Sequence, residues 1–267
     1  MKKITLLFFI SFSINLFAQD SIVNYLDYKG NSVHKKDAFS VETIVKKDSV
    51  WQHTSYYRGG KIKFKGQYQN RNLTNPVGRF YRFFRNGILN EVKTYNSSNQ
   101  LSGKFKSWFG NEKTNSEGIY VDGLKAGIWK YYHYNGILAT KQYFSKGKLI
   151  KTVFYNEAGE KIEAELVEYQ KPLFKGGGMQ DFWERIRDIH NRIRFQINGV
   201  IVLNFDIDIN GNIVNVTTSD KIPSALERAL RNYFKEVKGW IPAISMNRRV
   251  PHSQSIPLDF RMKFIDR

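Results

Sequence analysis

The segment Gly78-Arg-Phe-Tyr-Arg-Phe-Phe-Arg-Asn-Gly-Ile-Leu89 returns 49 positions later as Gly127-Ile-Trp-Lys-Tyr-Tyr-His-Tyr-Asn-Gly-Ile-Leu138. Each copy reads as a short aromatic strand, an Asn-Gly turn (Asn86-Gly87, Asn135-Gly136) and a second strand that ends at Tyr95 or at Tyr143-Phe144. Partial copies fill the gaps: Gly66-Gln-Tyr68, Gly103 to Trp108, Gly118-Ile-Tyr120 with Asp122-Gly123, and Lys146-Gly147 leading to Phe154-Tyr155. The copy between Asn96 and Asn115 is degenerate. The underlying unit is therefore about half the long spacing, within the range of ~20 to 50 residues that marks stacked repeats. One such hairpin is too small to bury its own aromatic face, so neighbours must stack to cover it. The expected product is an elongated antiparallel array over residues 56–160. Turn geometry accounts for the glycines and stacking for the rings. Rings left exposed on one face would suit a glycan or protein contact, with Trp108 and Trp129 the first candidates.

A second pattern organises the C-terminal third. In Gly199 to Val216, Leu203, Phe205, Ile207 and Ile209 alternate with Asn204, Asp206 and Asp208, the period of a strand with one buried and one wet face. Asn210-Gly211 then predicts a two-residue hairpin loop, which sets Ile207 opposite Val214, Phe205 opposite Val216 and Asp206 opposite Asn215. A helix is expected from about Met179, with Met179, Phe182, Ile186 and Ile189 on one face. A second opens at Pro223, where Ser224 and Glu227 form a capping box. Its apolar stripe is Leu226, Ala229, Leu230, Tyr233 and Val237, and Gly239 ends it at C′. Trp240-Ile-Pro-Ala243 turns the chain, and a basic loop carries Arg248-Arg249. A last strand alternates through Ile256, Leu258, Phe260, Met262 and Phe264, and Pro257 assigns it to an edge or to a strand start. The fold class is thus a mainly β array of stacked antiparallel hairpins plus a small α+β domain with an antiparallel sheet and two helices.

Lys2 and Lys3, the apolar run Thr5 to Phe17 and the step Ala18-Gln19-Asp20 read as a cleavable signal peptide over residues 1–18. A retained anchor is the alternative, although the run is short for a span of about 20 apolar residues. A short leader (19–55), the array (56–160), a Glu-rich linker closed by Lys171-Pro172 (161–175) and the C-terminal domain (176–267) complete the division. The net charge is +18, two units of it from Lys2 and Lys3. Behind an export signal that charge points to an anionic envelope surface or an envelope protein rather than to nucleic acid. Basic residues spread along the chain also serve plain solubility.

The chain has no cysteine, which excludes disulfides and thiolate metal sites. His34, His53, His133, His190 and His252 lack ligand spacing, so neither a metal nor a cofactor is expected. Gly176-Gly177-Gly178 is not followed by the Lys-Ser/Thr of a phosphate loop. Ser253 adjoins His252 too closely to be its nucleophile, and no Gly-x-Ser-x-Gly elbow occurs. Asp206 and Asp208 share a strand face and would make a carboxylate pair for sugar chemistry, but acidic residues alternating on a wet face need no such role. The expectation is a non-enzyme.

The array resembles the MORN-type repeat of bacterial envelope proteins: Gly, an aromatic pair, the Asn-Gly turn, then Tyr followed by Gly. Such repeats imply interaction or spacer modules. The segment from about 172 to 264 resembles the C-terminal domain of TonB-family energy transducers, as in Bacteroidetes-type envelope proteins. The residues that carry it are Pro172, Phe174 with Gly176-Gly177, the hairpin with Asp208-Ile-Asn-Gly211, Ala225 to Leu230, Trp240-x-Pro242-Ala243 and Ile256-Pro257-Leu258-Asp259-Phe260. Two features depart from that family: Arg192-Ile-Arg-Phe195 stands where Tyr-Pro is usual, and there is no Pro-rich spacer. The resemblance implies a periplasmic or envelope protein that takes a segment of an outer-membrane transporter onto an open sheet edge, in transmembrane transport. Ile256, Leu258, Phe260 and Met262 are the implied partner-binding edge. A structural scaffold without energy coupling is the alternative.

Overall fold

The computed structural model describes residues 20–175, 180, 181, 184, 200–218, 222 and 224–259. Twelve strands form one antiparallel sheet in which every strand pairs with its neighbour in sequence. They are β1 (Ser21–Leu26), β2 (Ser40–Lys47), β3 (Val50–Tyr57), β4 (Ile62–Tyr68), β5 (Pro76–Phe83), β6 (Leu89–Tyr95), β7 (Gly103–Trp108), β8 (Thr114–Val121), β9 (Leu124–Tyr132), β10 (Leu138–Ser145), β11 (Lys148–Tyr155) and β12 (Lys161–Ile162). The stacked hairpins expected from the repeat are present, and the array begins earlier than the repeat motif does. β1, β2 and part of β3 lie in the stretch read as a leader.

The C-terminal part contains β13 (Tyr169–Gln170), β14 (Leu173–Phe174), β15 (Val200–Ile207), β16 (Ile213–Thr218), α1 (Ser224–Glu236), β17 (Trp240–Ile241), β18 (Ala243–Ser245), β19 (Arg248–Val250) and β20 (His252–Asp259). Three small sheets result: β16-β15-β20, β13-β18-β19 and β14-β17. α1 is the one helix of that length among the described residues. The helix expected from Met179 falls mostly outside them, with Gln180, Asp181 and Glu184 helical.

One turn geometry recurs along the chain. In the Asn86-Gly87 hairpin the Phe84 N–H bonds to the Ile88 carbonyl and the Gly87 N–H to the Phe84 carbonyl. The Asn135-Gly136 hairpin closes identically between His133 and Ile137. These are three-residue loops, a type I turn followed by a positive-φ residue, and not the two-residue loops that Asn-Gly alone suggests. In the degenerate copy Glu112 takes the positive-φ position (65°), so the hairpin survives without its glycine.

The same loop corrects the register of the C-terminal hairpin. Asp208 closes it against Asn212, and the Asp208 carboxylate accepts the N–H groups of Asn210 and Asn212. Ile209 therefore sits in the loop, Ile207 pairs with Ile213, and Asp206 with Val214. An extra residue in β16 follows, with Asn215 at φ 54° donating to Asp206 at 2.8 Å. This bulge turns the strand so that Ile213 and Val216, three positions apart, both enter the core. Gly211 packs where a Cβ would stand 2.0 Å from the Trp240 carbonyl oxygen, so only glycine fits there.

Ile201, Leu203, Phe205 and Ile207 of β15 meet Leu226, Leu230, Phe234 and Val237 in one core. Phe234, fully buried, completes the helix stripe in place of the Tyr233 expected, which packs at its margin. α1 stops at Glu236, and Gly239 (φ 109°) turns the chain beyond it.

In the array the stacking rings share one face and follow the repeat. Tyr68 meets Phe80 edge-on at 5.3 Å, and Tyr120 meets Trp129 edge-on at 4.8 Å. Each large ring lies on a glycine of the preceding strand: a Cβ on Gly66 would stand 2.5 Å from Phe80, and one on Gly118 2.3 Å from Trp129. His53, in register with Gly66, stands where the second copy has Phe105, in register with Gly118.

The two His53 ring nitrogens make no hydrogen bond, and Glu42 is 3.5 Å away. Burial pushes the His53 pKa below 6.5, against the opposing pull of Glu42. Between the lowered value and 6.5 the unfolded chain binds a proton that the folded chain does not, so stability present above 6.5 drains as pH falls through that window. His53→Phe should therefore stabilise the array by about 1 kcal/mol. It should also flatten the loss of stability as pH falls below 6.5, measured by urea unfolding. An unchanged pH slope would rule His53 out as its source.

Candidate functional site: the outer edge of the C-terminal sheet

β20 pairs with β15 over all eight of its residues, from Ile207 with His252 to Val200 with Asp259. Among the described residues its other side pairs with no strand. Proline has no N–H to give to β15, so Pro257 occupies a pair whose backbone groups point outward. Period two then turns the N–H and C=O groups of Ser253 and Ser255 to the same outer side. The free rim consists of these two residues, the Pro257 carbonyl and Asp259 at the strand's end, and the donor missing at Pro257 blunts the edge against indiscriminate pairing.

Ile256 and Leu258, expected at the partner-binding edge, are on this strand, but their side chains are 3% and 8% exposed and belong to the core. They anchor the strand, and what it offers outward is backbone. Phe260 and Met262 lie outside the described residues. At one end of the rim the Tyr169 hydroxyl is 3.2 Å from His252 Nδ1. Burial holds the His252 pKa below its usual value.

The face of β15 expected to be wet is covered. Asn204 is 3% exposed and its Oδ1 accepts from Ser255 Oγ at 2.7 Å and from Arg85 Nη2 at 2.6 Å. Arg85 belongs to the β5–β6 loop of the array, and its guanidinium lies 5.0 Å from the Tyr57 ring centroid. Asp206 accepts from Ser253 Oγ at 2.6 Å. Asp206 and Asp208 are thus both engaged by neighbours, one tying β20 and β16 together and the other shaping a loop.

A second contact joins the array to the C-terminal part. Met246 and Asn247, both at positive φ, turn β18 into β19, so the supposed basic loop is a tight hairpin. Thr140 donates to the Met246 carbonyl at 2.7 Å. Arg248, 4% exposed, donates to the Asn115 carbonyl at 3.0 Å and to the Tyr132 carbonyl. Its guanidinium stands 5.4 and 5.6 Å from the Phe109 and Tyr131 rings. Burial pushes its pKa down to about 10, so it remains cationic at neutral pH. The sequence marks Arg248 only as one of a basic pair in a loop, and no periodic pattern points to its burial.

The array candidates separate. Trp129 is 2% exposed, and its Nε1 donates to the Ile119 carbonyl at 3.1 Å, so its ring offers no face to a glycan. Trp108 is half-buried beside Lys106. Among the described residues no His/Asp/Glu group has the arrangement to hold a metal, and no helix is long and apolar enough to cross a membrane.

No family model matches this chain, and none of the curated proteins matches its sequence.

Proposed function

We propose that this chain is a non-enzymatic cell-envelope protein that takes a segment of an outer-membrane partner as an added strand along β20, with the hairpin array as its platform. The reading rests on the resemblance of the C-terminal segment to TonB-type domains and of the array to MORN-type repeats. The observation that carries it is the outer side of β20, where Ser253 and Ser255 present backbone donors and acceptors while Ile256 and Leu258 fix the strand from beneath. Main-chain pairing supplies affinity in this mode, and flanking side chains such as Tyr169 supply selectivity.

The test is titration of the full chain with synthetic N-terminal segments of outer-membrane receptors, read by amide NMR and hydrogen exchange. The expected result is a shift and slowed exchange at Ser253 and Ser255. Ser255→Pro, which removes one outward N–H together with the hydroxyl that bonds Asn204, should abolish both, and Ser255→Ala, which loses the hydroxyl alone, should keep them. Binding that leaves those two amides unmoved, or no binding by any segment, would sink the proposal.

The contacts of Arg248 and Arg85 favour a second reading, a scaffold in which array and C-terminal sheets act as one body without energy coupling. N-terminal sequencing of the exported protein separates the two. A retained Met1 segment fits transduction, and a start at Gln19 fits the scaffold or a soluble binder.

A further inference from the structure

The face of the array opposite the stacked rings carries a groove of about 320 Å3 lined by Gln52, Lys65, Gly66, Gln67, Arg79 and Tyr81. Register places these side chains together: Gln52 opposes Gln67, Lys65 opposes Tyr81, and the irregularity at Gly66 brings Arg79 alongside. None of the ion pairs of the described residues involves Lys65 or Arg79. Both are exposed. The acidic residues of β2 to β6 are Glu42 and Glu91, and both project to the ring face, Glu42 beside His53 and Glu91 beside Arg82 and Lys93. The groove thus holds two cations, two amides and a phenol, with no carboxylate on its face of these strands.

The second copy of the repeat shows what the frame itself requires. Gly66, Tyr68 and Phe80 recur as Gly118, Tyr120 and Trp129, which hold the stack together. The groove residues do not recur. Lys65 becomes Glu117, Gln67 becomes Ile119, Arg79 becomes Ile128 and Tyr81 becomes Lys130. There the charge is closed off within the sheet: Glu117 is 3.6 Å from Lys106 and 3.7 Å from Lys130, and accepts from the Tyr132 hydroxyl at 2.7 Å. Gln52 becomes Lys104, which is exposed there, so the second copy is built with no cation at the Lys65 or the Arg79 position, and nothing in the fold demands cations at these two places.

From this we infer that the first-copy groove is a binding site for an oxyanion on a hydroxylated carrier, such as a phosphorylated or carboxylated sugar. The Arg79 fork and the Lys65 ammonium take the anion, a task to which a planar guanidinium brings two parallel donors. The Gln52 and Gln67 amides and the Tyr81 hydroxyl address the carrier's hydroxyls, since both groups donate and accept. The volume lies at the lower end of the ~300 to 1,000 Å3 of small-ligand sites, and the groove is open on one side, which suits the terminal residue of a larger molecule. This site is remote from β20 and stands whether or not the strand-addition reading does.

The test is NMR titration of the full chain with glucose 6-phosphate, glucuronic acid, inorganic phosphate and neutral glucose. Saturable shifts at Gln52, Gln67 and Tyr81 are expected with the two charged sugars, weakening as salt is raised, and none with glucose. The stronger of the two identifies the anion, and inorganic phosphate should bind more weakly than glucose 6-phosphate because it lacks the carrier. Lys65→Ala and Arg79→Ala change exposed side chains and should each weaken binding about tenfold or more. Lys104→Ala, at the Gln52 position of the second copy, should leave it unchanged. Absence of saturable binding, equal response to glucose, or equal loss in the Lys104 variant would overturn the assignment.

Discussion

Trp129→Ala should cost about 3–5 kcal/mol, the range for deleting a large aromatic from a packed core. The indole is 2% exposed and sits between Phe105 at 5.3 Å and Tyr120 at 4.8 Å, with the Lys125 ammonium 4.6 Å from its centroid. Its underside rests on Gly118, where there is no side chain to move into the space left behind. With that space unfilled, the cavity term stays close to its full size. Trp129→Phe installs the residue of the first copy, Phe80, and should lose only part of this, about 1–2 kcal/mol, with the bond to the Ile119 carbonyl included. Trp108→Ala, at a half-buried ring, should cost about 1 kcal/mol or less. Urea unfolding of the three variants checks the order, and a Trp129→Ala loss as small as that of Trp108→Ala would mean that the ring stack does not hold the array.

The parts of this fold legible in sequence are those where one residue type has one physical use. The alternation of β15, the Asn-Gly turns and the Gly-and-ring repeat all reappear, because period two, positive φ and ring stacking act locally. Register was not legible at Asn210-Gly211. Whether Asn-Gly closes a two- or a three-residue loop depends on the preceding residue, and the Asp208 carboxylate, by capping the N–H groups of Asn210 and Asn212, accompanies the longer one. The strands β1 and β2 were hidden for the opposite reason. They lack the glycine and aromatic signature and are held by pairing, β1 with β2 and β2 with β3, rather than by any local signal. As for the candidate edge, β20 was legible as a strand and Pro257 as an edge residue, but not that Ile256 and Leu258 turn inward while backbone alone faces out. Contacts between the array and the C-terminal sheets, such as Arg85 with Asn204, join residues more than a hundred positions apart and leave no periodic trace.

Arg248 is the sharpest case, and its replacement should separate what it joins. Arg248→Met keeps much of the stem volume but leaves the carbonyls of Asn115 and Tyr132 without this donor. Each buried acceptor so stranded costs about 1–3 kcal/mol. Loss of the cation from between the Phe109 and Tyr131 rings adds to this. Against it stands relief from holding a charge out of water, the burial that already pulls the Arg248 pKa to about 10. Weighing the two, the expected net loss is about 3 kcal/mol, since two stranded acceptors outweigh a penalty that the cation offsets through its own bonds. Arg248→Lys keeps the charge as a single point donor unable to span both carbonyls, and should fall between. The loss should be felt at the joint: residues 161–175, which supply β13 and β14 to the small sheets, should become protease-sensitive in the Met variant at a denaturant concentration where the parent chain resists. Should Arg248→Met unfold in one transition within about 0.5 kcal/mol of the parent, the array and the C-terminal sheets would be coupled elsewhere, through Arg85 and Asn204, and Arg85→Ala would then have to carry the larger effect.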